Sequence, residues 1–290
     1  QSVYKSSEVI VQPAQVASVM RRAFHNLRNG RPGPVIVEIP ADVAGQEVPD
    51  ASMQYQPPKR MVQAPTGGDV KEAVNLLLNA KKPVIWSGMG VLFSEATEEL
   101  RELAELTEIP VYCTMPGKSS FDDRHPLALG SGSSATTLPA RTWLQESDVL
   151  FAVGSSMTRT SYGQPIPDGK VIIHNVESIE DINKDFSADV GLPGDAKLAL
   201  QAMIEEVKSQ LGNNARRGQT GVSDEIAKLR ERWMSEWTPA LTSDEVPISA
   251  YRVIGELERN LDKENSIVTH DAGAPRDTIC LLYTSPSPRD

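Results

Sequence analysis

Apolar residues recur every three or four positions along residues 14–28, which read AQVASVMRRAFHNLR. This spacing predicts an amphipathic helix, because residues three and four apart lie on one helical face. The predicted buried face consists of Val16, Met20, Ala23, Phe24 and Leu27. Glycine and proline at positions 30–34 then end the helix, and the run PVIVEI predicts a buried strand. We therefore expect a helix followed by a strand within residues 1–50.

Residues 51–66 lack a sustained period and are rich in proline, which predicts a linker. A second unit follows over residues 67–211. In it, apolar strands at KPVIW, IPVYC, DVLFAVG and KVIIHN alternate with amphipathic helices, including one at 94–107 and one at 138–145. Asp69 and Asp195 are predicted to cap the first and last helices of this unit. Such alternation predicts an α/β fold with a doubly wound, Rossmann-like parallel sheet, because each parallel return needs a crossover.

A glycine-rich polar segment at 212–222 predicts a second linker, and a partial α/β unit is expected over residues 223–279. Its predicted helices span 224–237, with Ile226, Leu229 and Trp233 inward, and 249–261, with Val253 and Leu257 inward. A strand is predicted from Ser266. Residues 280–290 read CLLYTSPSPRD and have no period, so we expect them to be a non-native tail and exclude them from the fold.

Composition narrows the classes of partner. The chain carries 39 acidic and 29 basic residues, a net charge of -10, which disfavours nucleic acid and anionic membranes. No apolar run approaches the roughly 20 residues that a membrane helix needs. Only two cysteines occur, so a disulfide framework is not expected, and we predict a cytoplasmic location. The four histidines have no ligand spacing, which argues against a transition-metal site.

The segment PVIWSGMGVLF places Gly88 and Gly90 between a strand and a helix, where backbone amides can meet phosphate. The complete dinucleotide fingerprint needs a third glycine, and Phe93 stands in its place. Two interpretations stay open for the glycine pair, a nucleotide site and a tight structural turn.

Charged loop residues offer further candidates. Lys118 follows a glycine turn, but the pattern of a phosphate-binding loop requires an upstream glycine where Tyr112 stands. Asp122 and Asp123 could act as acids, bases or metal ligands, or form a solvated charged loop. His174 ends an apolar strand and fits a hydrogen-bonded core histidine better than a catalytic one.

Three blocks in a fixed order resemble thiamine-diphosphate-dependent enzymes of the acetolactate synthase type. RRAFHNLRNGRPGPVIVEIPADV is similar to the end of the pyrimidine-binding domain, and the text from KKPVIWSGMG to PGDAKLAL is similar to the central domain. ENSIVTHDAG looks like the first strand of the diphosphate-binding domain. The resemblance covers most of residues 5–279 and implies that the chain is an internal fragment of an enzyme.

The resemblance also implies a chemistry. The parent enzyme would use thiamine diphosphate and Mg²⁺ on a small 2-oxo acid, for decarboxylation, carboligation or both, and would be a homodimer or homotetramer. The family's catalytic carboxylate and its Gly-Asp-Gly metal motif would lie outside this chain, which contains no such motif. We therefore assign no catalytic residue and no metal ligand within the chain, and expect the fragment alone to be inactive.

The resemblance places candidate cofactor contacts at two points. Asp271 and Gly273 stand where relatives meet the diphosphate, with Arg276 as an additional candidate charge. Some central domains of the family hold FAD or an adenine nucleotide, and the candidate contacts there are Gly88, Gly90, Arg159, Asn175 and Glu177. Asn175 replaces an acid that flavin-bearing relatives usually carry. The alternatives are a nucleotide- or CoA-binding module without carbon-carbon chemistry and a purely structural central domain.

Overall fold

The computed structural model describes residues 3–132, 135–161, 163–213, 215–216, 218–262, 265–269, 278 and 281 of the 290. The chain divides into two compact units, Gln1–Gln63 and Ala64–Asp290. The division falls inside the segment 51–66, for which the sequence predicts a linker. Residues 53–66 of that segment have no regular secondary structure.

The first unit is built on two parallel strands, β1 (Ser6–Val9) and β2 (Val35–Glu38). Helix α1 (Val16–Arg28) connects them, as a parallel return requires. A short helix α2 (Ala41–Ala44) and two 3₁₀ turns, Pro13–Gln15 and Asp50–Ser52, complete the unit. Its small core consists of Ile10, Val19 and Val43, with Val16 and Val37 against them.

The predicted helix and strand are confirmed, but the buried face of α1 differs from the predicted one: only Ala23 of the five predicted residues is buried, and Val19 lies outside that set. Val19 and Ala23 are its buried residues, whereas Leu27 is 39% exposed. Because only two strands lie in this unit's sheet, they cover only part of the helix. Strand β1 is not predicted, because its residues SSEV are mostly polar.

The second unit contains a six-stranded, all-parallel sheet in the order β5-β4-β3-β6-β7-β8. The strands are β3 (Pro83–Ser87), β4 (Val111–Thr114), β5 (Ala128–Gly132), β6 (Val149–Val153), β7 (Val171–Val176) and β8 (Val190–Pro193). Chain order runs outward from the middle of the sheet in both directions. This is the doubly wound arrangement that the sequence predicts.

Helices cover both faces of the sheet. Three of them, α3 (Gly67–Asn79), α5 (Thr97–Thr107) and α7 (Ala196–Leu211), share one core with inward residues such as Ile85 and Phe151. On the other face, α6 (Leu138–Glu146) and the first turns of α8 (Val222–Leu241) share a second core. Trp143, the largest of the fully buried side chains, comes from α6, and the fully buried Ile226 comes from α8. The sheet is therefore enclosed, as near-continuous apolar strands require.

The caps of the helices differ in one case from prediction. Thr66, not Asp69, caps α3: its hydroxyl accepts from the Asp69 amide and donates to the Asp69 carboxylate at 2.7 Å. Asp69 lies in the first turn, where its charge still favours the helix N-terminus. Asp195 caps α7 as predicted, accepting from the amides of Lys197 and Leu198.

The segment predicted as one helix at 94–107 begins later than expected. A short helix α4 (Met89–Phe93) precedes it, and Glu95, with a φ of 52°, separates α4 from α5. The predicted inward residues of α5, including Leu100 and Leu103, are buried. The edge strands β5 and β8 were not predicted from the sequence.

Helix α8 packs against the second unit's own helix α6 and is fixed there by an ion pair network. Lys82 Nζ lies 2.6 Å from carboxylate oxygens of Glu146 on α6 and Glu225 on α8, and 4.2 Å from the centroid of the Trp143 ring. The segment 212–222, predicted as a linker, is also tied to this unit. Glu108 accepts from the Thr220 amide at 2.7 Å and from the Gly218 amide.

Helix α9 (Ala250–Asn260) buries a different face from the one predicted. Ile254 and Gly255 are its buried residues, whereas Val253 and Leu257 are 45% and 37% exposed. A Cβ on Gly255 would lie 2.2 Å from the carbonyl oxygen of Leu241, so the helix approaches the end of α8 backbone to backbone. Residues 265–269 form no strand, and the rest of the strand predicted from Ser266 lies outside the described residues.

Candidate functional site

The carboxyl ends of the parallel strands form the place where such a sheet binds ligands. The crevice opens where the strand order reverses, here between β3 and β6, and β4 lies on the other side of β3. The turns at 88–90, 115–120 and 154–159 follow these three strands. Glu177 follows β7 at the same edge.

Gly88 and Gly90, the candidate phosphate-binding glycines, lie directly against Gly154 of the turn after β6. The Gly88 amide donates to the Val153 carbonyl at 2.9 Å, and the Gly90 amide donates to the Gly154 carbonyl at 2.8 Å. A Cβ on Gly88 would lie 2.4 Å from the Gly154 carbonyl oxygen, and one on Gly90 would lie 2.6 Å from the Gly154 Cα. The two glycines therefore allow two backbone turns to touch.

A third turn contacts β3 from the opposite side. A Cβ on Gly117 would lie 2.6 Å from the Ser87 carbonyl oxygen and 2.9 Å from the carbonyl carbon of Gly88. Below this contact, the hydroxyls of Ser87 and Ser120 form a fully buried hydrogen bond of 2.6 Å. No pattern in the sequence predicts this pair, since each serine looks like an ordinary loop or strand-end residue.

The charged side chains of the 117–125 loop pair with groups of their own unit. Lys118 forms an ion pair with the buried carboxylate of Asp123. Arg124 contacts Asp122 at 3.1 Å, and His125 Nε2 lies 3.3 Å from a Glu105 carboxylate oxygen.

The arrangement of these pairs has two chemical consequences. Burial raises the pKa of Asp122, but hydrogen bonds from Arg124 outweigh this effect and leave the pKa lowered. These contacts hold the shape of the loop and bring no acid and base together around a common point.

Asn175 is fully buried at the end of β7, and its side chain forms hydrogen bonds with neighbouring backbone groups. Its side-chain amide donates to the carbonyls of Leu192 at 2.8 Å and Gly194 at 3.3 Å, and its side-chain oxygen accepts from the Gly154 amide at 3.4 Å. The residue therefore joins the turn after β6 to β8. A carboxylate at this position could not donate the first two hydrogen bonds.

Arg159 and Glu177, the other candidates for nucleotide contact, lie at the same edge of the sheet. The Arg159 guanidinium stacks on the Phe186 ring, 4.8 Å from its centroid, and the Arg159 amide donates to Asp185 at 2.7 Å. Glu177 is half-buried. Of the five candidates, it alone shows neither a hydrogen bond nor a close glycine contact within the part of the chain that the structure describes.

Two buried groups that could act as nucleophile or base are held neutral. Burial lowers the pKa of His174, whose Nε2–H donates to the Ser155 carbonyl at 2.8 Å. Burial raises the pKa of the Cys113 thiol to about 12, so it does not form a thiolate near neutral pH. His174 is therefore the core histidine that the sequence favours.

The residues expected to meet a diphosphate, Asp271 and Gly273, lie outside the described residues, as does Arg276. Over the ranges that are described, no cluster of histidine, cysteine, aspartate and glutamate could hold a metal ion. Over the same ranges, no helix is long and apolar enough to cross a membrane. Gly154 is not among the candidate residues predicted from the sequence. Like Gly88, it directly follows an apolar strand, and this position could have identified it as part of a strand-end turn.

This chain is similar in sequence to known proteins. Residues 70–203 match the family described as thiamine pyrophosphate enzyme, central domain. An acetolactate synthase isozyme 3 large subunit from Escherichia coli is 28% identical over 99% of this chain and 50% of its own length. A glyoxylate carboligase, also from Escherichia coli, is 30% identical over 92% of this chain and 45% of its own length.

Solved structures agree with this assignment at the level of the fold. The crystal structure of benzoylformate decarboxylase from Polynucleobacter necessarius superimposes with a TM-score of 0.58 at 23% identity, over 70% of this chain and 38% of that one. The chain spans about half the length of the curated relatives it matches. The sequence order, the doubly wound sheet and these matches agree, and the chain belongs to the acetolactate-synthase-like family of thiamine-diphosphate-dependent enzymes.

Proposed function

We propose that the complete protein is a thiamine-diphosphate- and Mg²⁺-dependent enzyme that acts on a small 2-oxo acid. The reaction is decarboxylation, carboligation of the resulting unit to a second carbonyl, or both. The observation that carries the proposal is the central-domain match at 70–203, set within an alignment to an acetolactate synthase over 99% of the chain. One relative is named an acetolactate synthase and another a glyoxylate carboligase, and both names support carboligation as the reaction class.

In this proposal the 290-residue chain contributes the central domain and parts of the domains on either side in sequence. Thiamine diphosphate, when bound, supplies the nucleophilic carbon, while the protein binds and orients it. Asp271 and Gly273 are proposed to contact the diphosphate. Mg²⁺, when bound, would bridge the diphosphate to the protein through one or two carboxylates. That the chain alone is inactive is part of the same proposal.

We further propose a homodimer or homotetramer with a cytoplasmic location. The low cysteine count supports a reducing compartment. A nucleotide- or CoA-binding module is the competing function, and the comparisons favour the enzyme over it because the named relatives are synthases and carboligases.

The test is an assay of the complete gene product with pyruvate, glyoxylate and benzoylformate as separate substrates. We expect CO₂ release from at least one substrate when both thiamine diphosphate and Mg²⁺ are present. Removal of Mg²⁺ with a chelator is expected to abolish the activity, and re-addition of Mg²⁺ is expected to restore it.

The 290-residue chain serves as the matched control in the same assay and is expected to release no CO₂. Product analysis by mass spectrometry then separates a decarboxylase, which yields an aldehyde, from a carboligase, which yields a hydroxy-ketone product. A complete gene product that binds CoA or a nucleotide but turns over none of the substrates would contradict the proposal.

A further inference from the structure

Three backbone turns meet at the crevice where a doubly wound sheet holds a nucleotide. We infer that the central domain of this protein does not bind FAD or another adenine nucleotide, because its own main chain fills the position of the phosphates. This inference concerns the described residues of the second unit and does not depend on the proposed catalytic activity.

The first argument concerns the amides of the glycine turn. Phosphate binding by such a turn uses backbone N–H groups that are free to point at the ligand. Here the Gly88 amide already donates to the carbonyl of Val153 at the end of β6, at 2.9 Å, and the Gly90 amide donates to the carbonyl of Gly154 in the turn after it, at 2.8 Å. The Gly154 carbonyl oxygen thus takes the place next to Gly90 that a phosphate oxygen would need.

The second argument concerns space. The turn at Gly154 contacts Gly88 and Gly90 on one side, and Gly117 contacts Ser87 and Gly88 on the other. In each contact, an added Cβ would come within 3.0 Å of backbone atoms, a separation that real Cβ atoms essentially never show. Backbone atoms that approach so closely leave no gap for a diphosphate between the turns after β3, β4 and β6.

The third argument concerns the side chains. Asn175 uses its amide to join Gly154 to the carbonyls of β8, and the Arg159 guanidinium lies on the Phe186 ring. Glu177 remains to accept hydrogen bonds from a ribose, as a carboxylate does in dinucleotide-binding folds. A single acceptor without a phosphate cradle does not make a dinucleotide site.

Titration of the 290-residue chain with FAD and, separately, with ADP tests the inference directly. We expect no saturable heat by isothermal titration calorimetry, and no quenching of flavin fluorescence, up to roughly 1 mM ligand. Saturable one-to-one binding of either ligand within that range overturns the inference. Glu177→Gln is then the variant that shows whether a ribose contact is responsible.

Matched glycine variants test the closed crevice itself. Gly154 and Gly169 both have positive φ, 61° and 82°, but only Gly154 has backbone atoms within reach of an added Cβ. We therefore expect Gly154→Ala to lower the midpoint of thermal unfolding by about 5 °C or more relative to Gly169→Ala. Failure of Gly154→Ala to fold, while Gly169→Ala folds, supports the inference equally, and equal midpoints for the two variants overturn it.

Discussion

Glu108 shows how one carboxylate can hold a connection in place. It ends α5 in the left-handed region with a φ of 51°, and accepts from Gly218 and Thr220 of the segment that leads to α8. Burial raises the pKa of Glu108, but the hydrogen bond from the Thr220 hydroxyl and those from backbone amides outweigh it. The net result is a pKa below the ordinary value of 4.5.

The variant Glu108→Gln is expected to lower the free energy of unfolding by about 1 kcal/mol at pH 7, because it replaces charge-assisted hydrogen bonds with neutral ones. The folded-state pKa is depressed, so the stabilisation is complete above pH 4.5 and is lost as the pH falls through the folded pKa. Urea denaturation of both proteins at pH 7 and at pH 3 measures this. Glu98→Gln, which removes only an exposed ion pair with Arg101 on the same helix, is the control. An undiminished difference at pH 3 would contradict the argument.

Helix α8 illustrates how packing decides which part of the fold an element joins. The sequence assigns it to a unit that begins at 223, and that division of the chain into three units stays a prediction. In the structure, Ile226 is fully buried in the second core of the sheet, and Glu225 meets Lys82. A helical apolar pattern shows which face is buried but does not identify the surface that buries it.

Ile226→Ala is expected to destabilise the unit of residues 64–290 by about 2–5 kcal/mol, since it leaves a cavity in a closed core. Lys228→Ala, at an exposed site on the same helix, is expected to change stability by less than about 0.5 kcal/mol. Chemical denaturation followed by far-ultraviolet circular dichroism gives both values. If Ile226→Ala matched Lys228→Ala, α8 would not be part of this core.

The strands that the sequence predicts and those it misses differ in composition and position. β3, β6 and β7 lie inside the sheet, and each contains a continuous apolar run, PVIW, VLFAV and VII, which predicts a strand. β5 reads ALGSG and β8 reads VGLP, and both lie at an edge with one neighbour only. Their pairing comes from the sheet beside them, which local propensity does not encode.

The sequence predicts the local turns of the candidate site but not the contacts between them. The turn with Gly88 and Gly90 was found from its own sequence, because a glycine turn between strand and helix is a local signal. Its contact with Gly154 depends on the order of strands in the sheet, which brings distant turns together. The same limit applies to Asn175, whose three partners come from other strands and turns.

The division of the chain into two compact units predicts where a protease will act first. Residues 53–66 are irregular, and Lys59 and Arg60 are exposed within them. Brief trypsin treatment is therefore expected to cut after these residues and leave a resistant fragment that starts at residue 60 or 61. Mass spectrometry of the products checks this, with the lysines and arginines of α3 and α5 as internal controls. Initial cleavage within 67–211 would contradict the two-unit organisation.

The two rims of the central sheet are poor templates for another strand. On one side, β8 ends in Pro193, which has no amide hydrogen, and on the other, β5 contains two glycines and a register irregularity against β4. Lateral growth of the sheet into a neighbouring molecule is thereby discouraged at both rims. A partner molecule is therefore expected to contact the helices or loops of this unit, and the exposed backbone of a partly unfolded copy gains little by adding to a folded one.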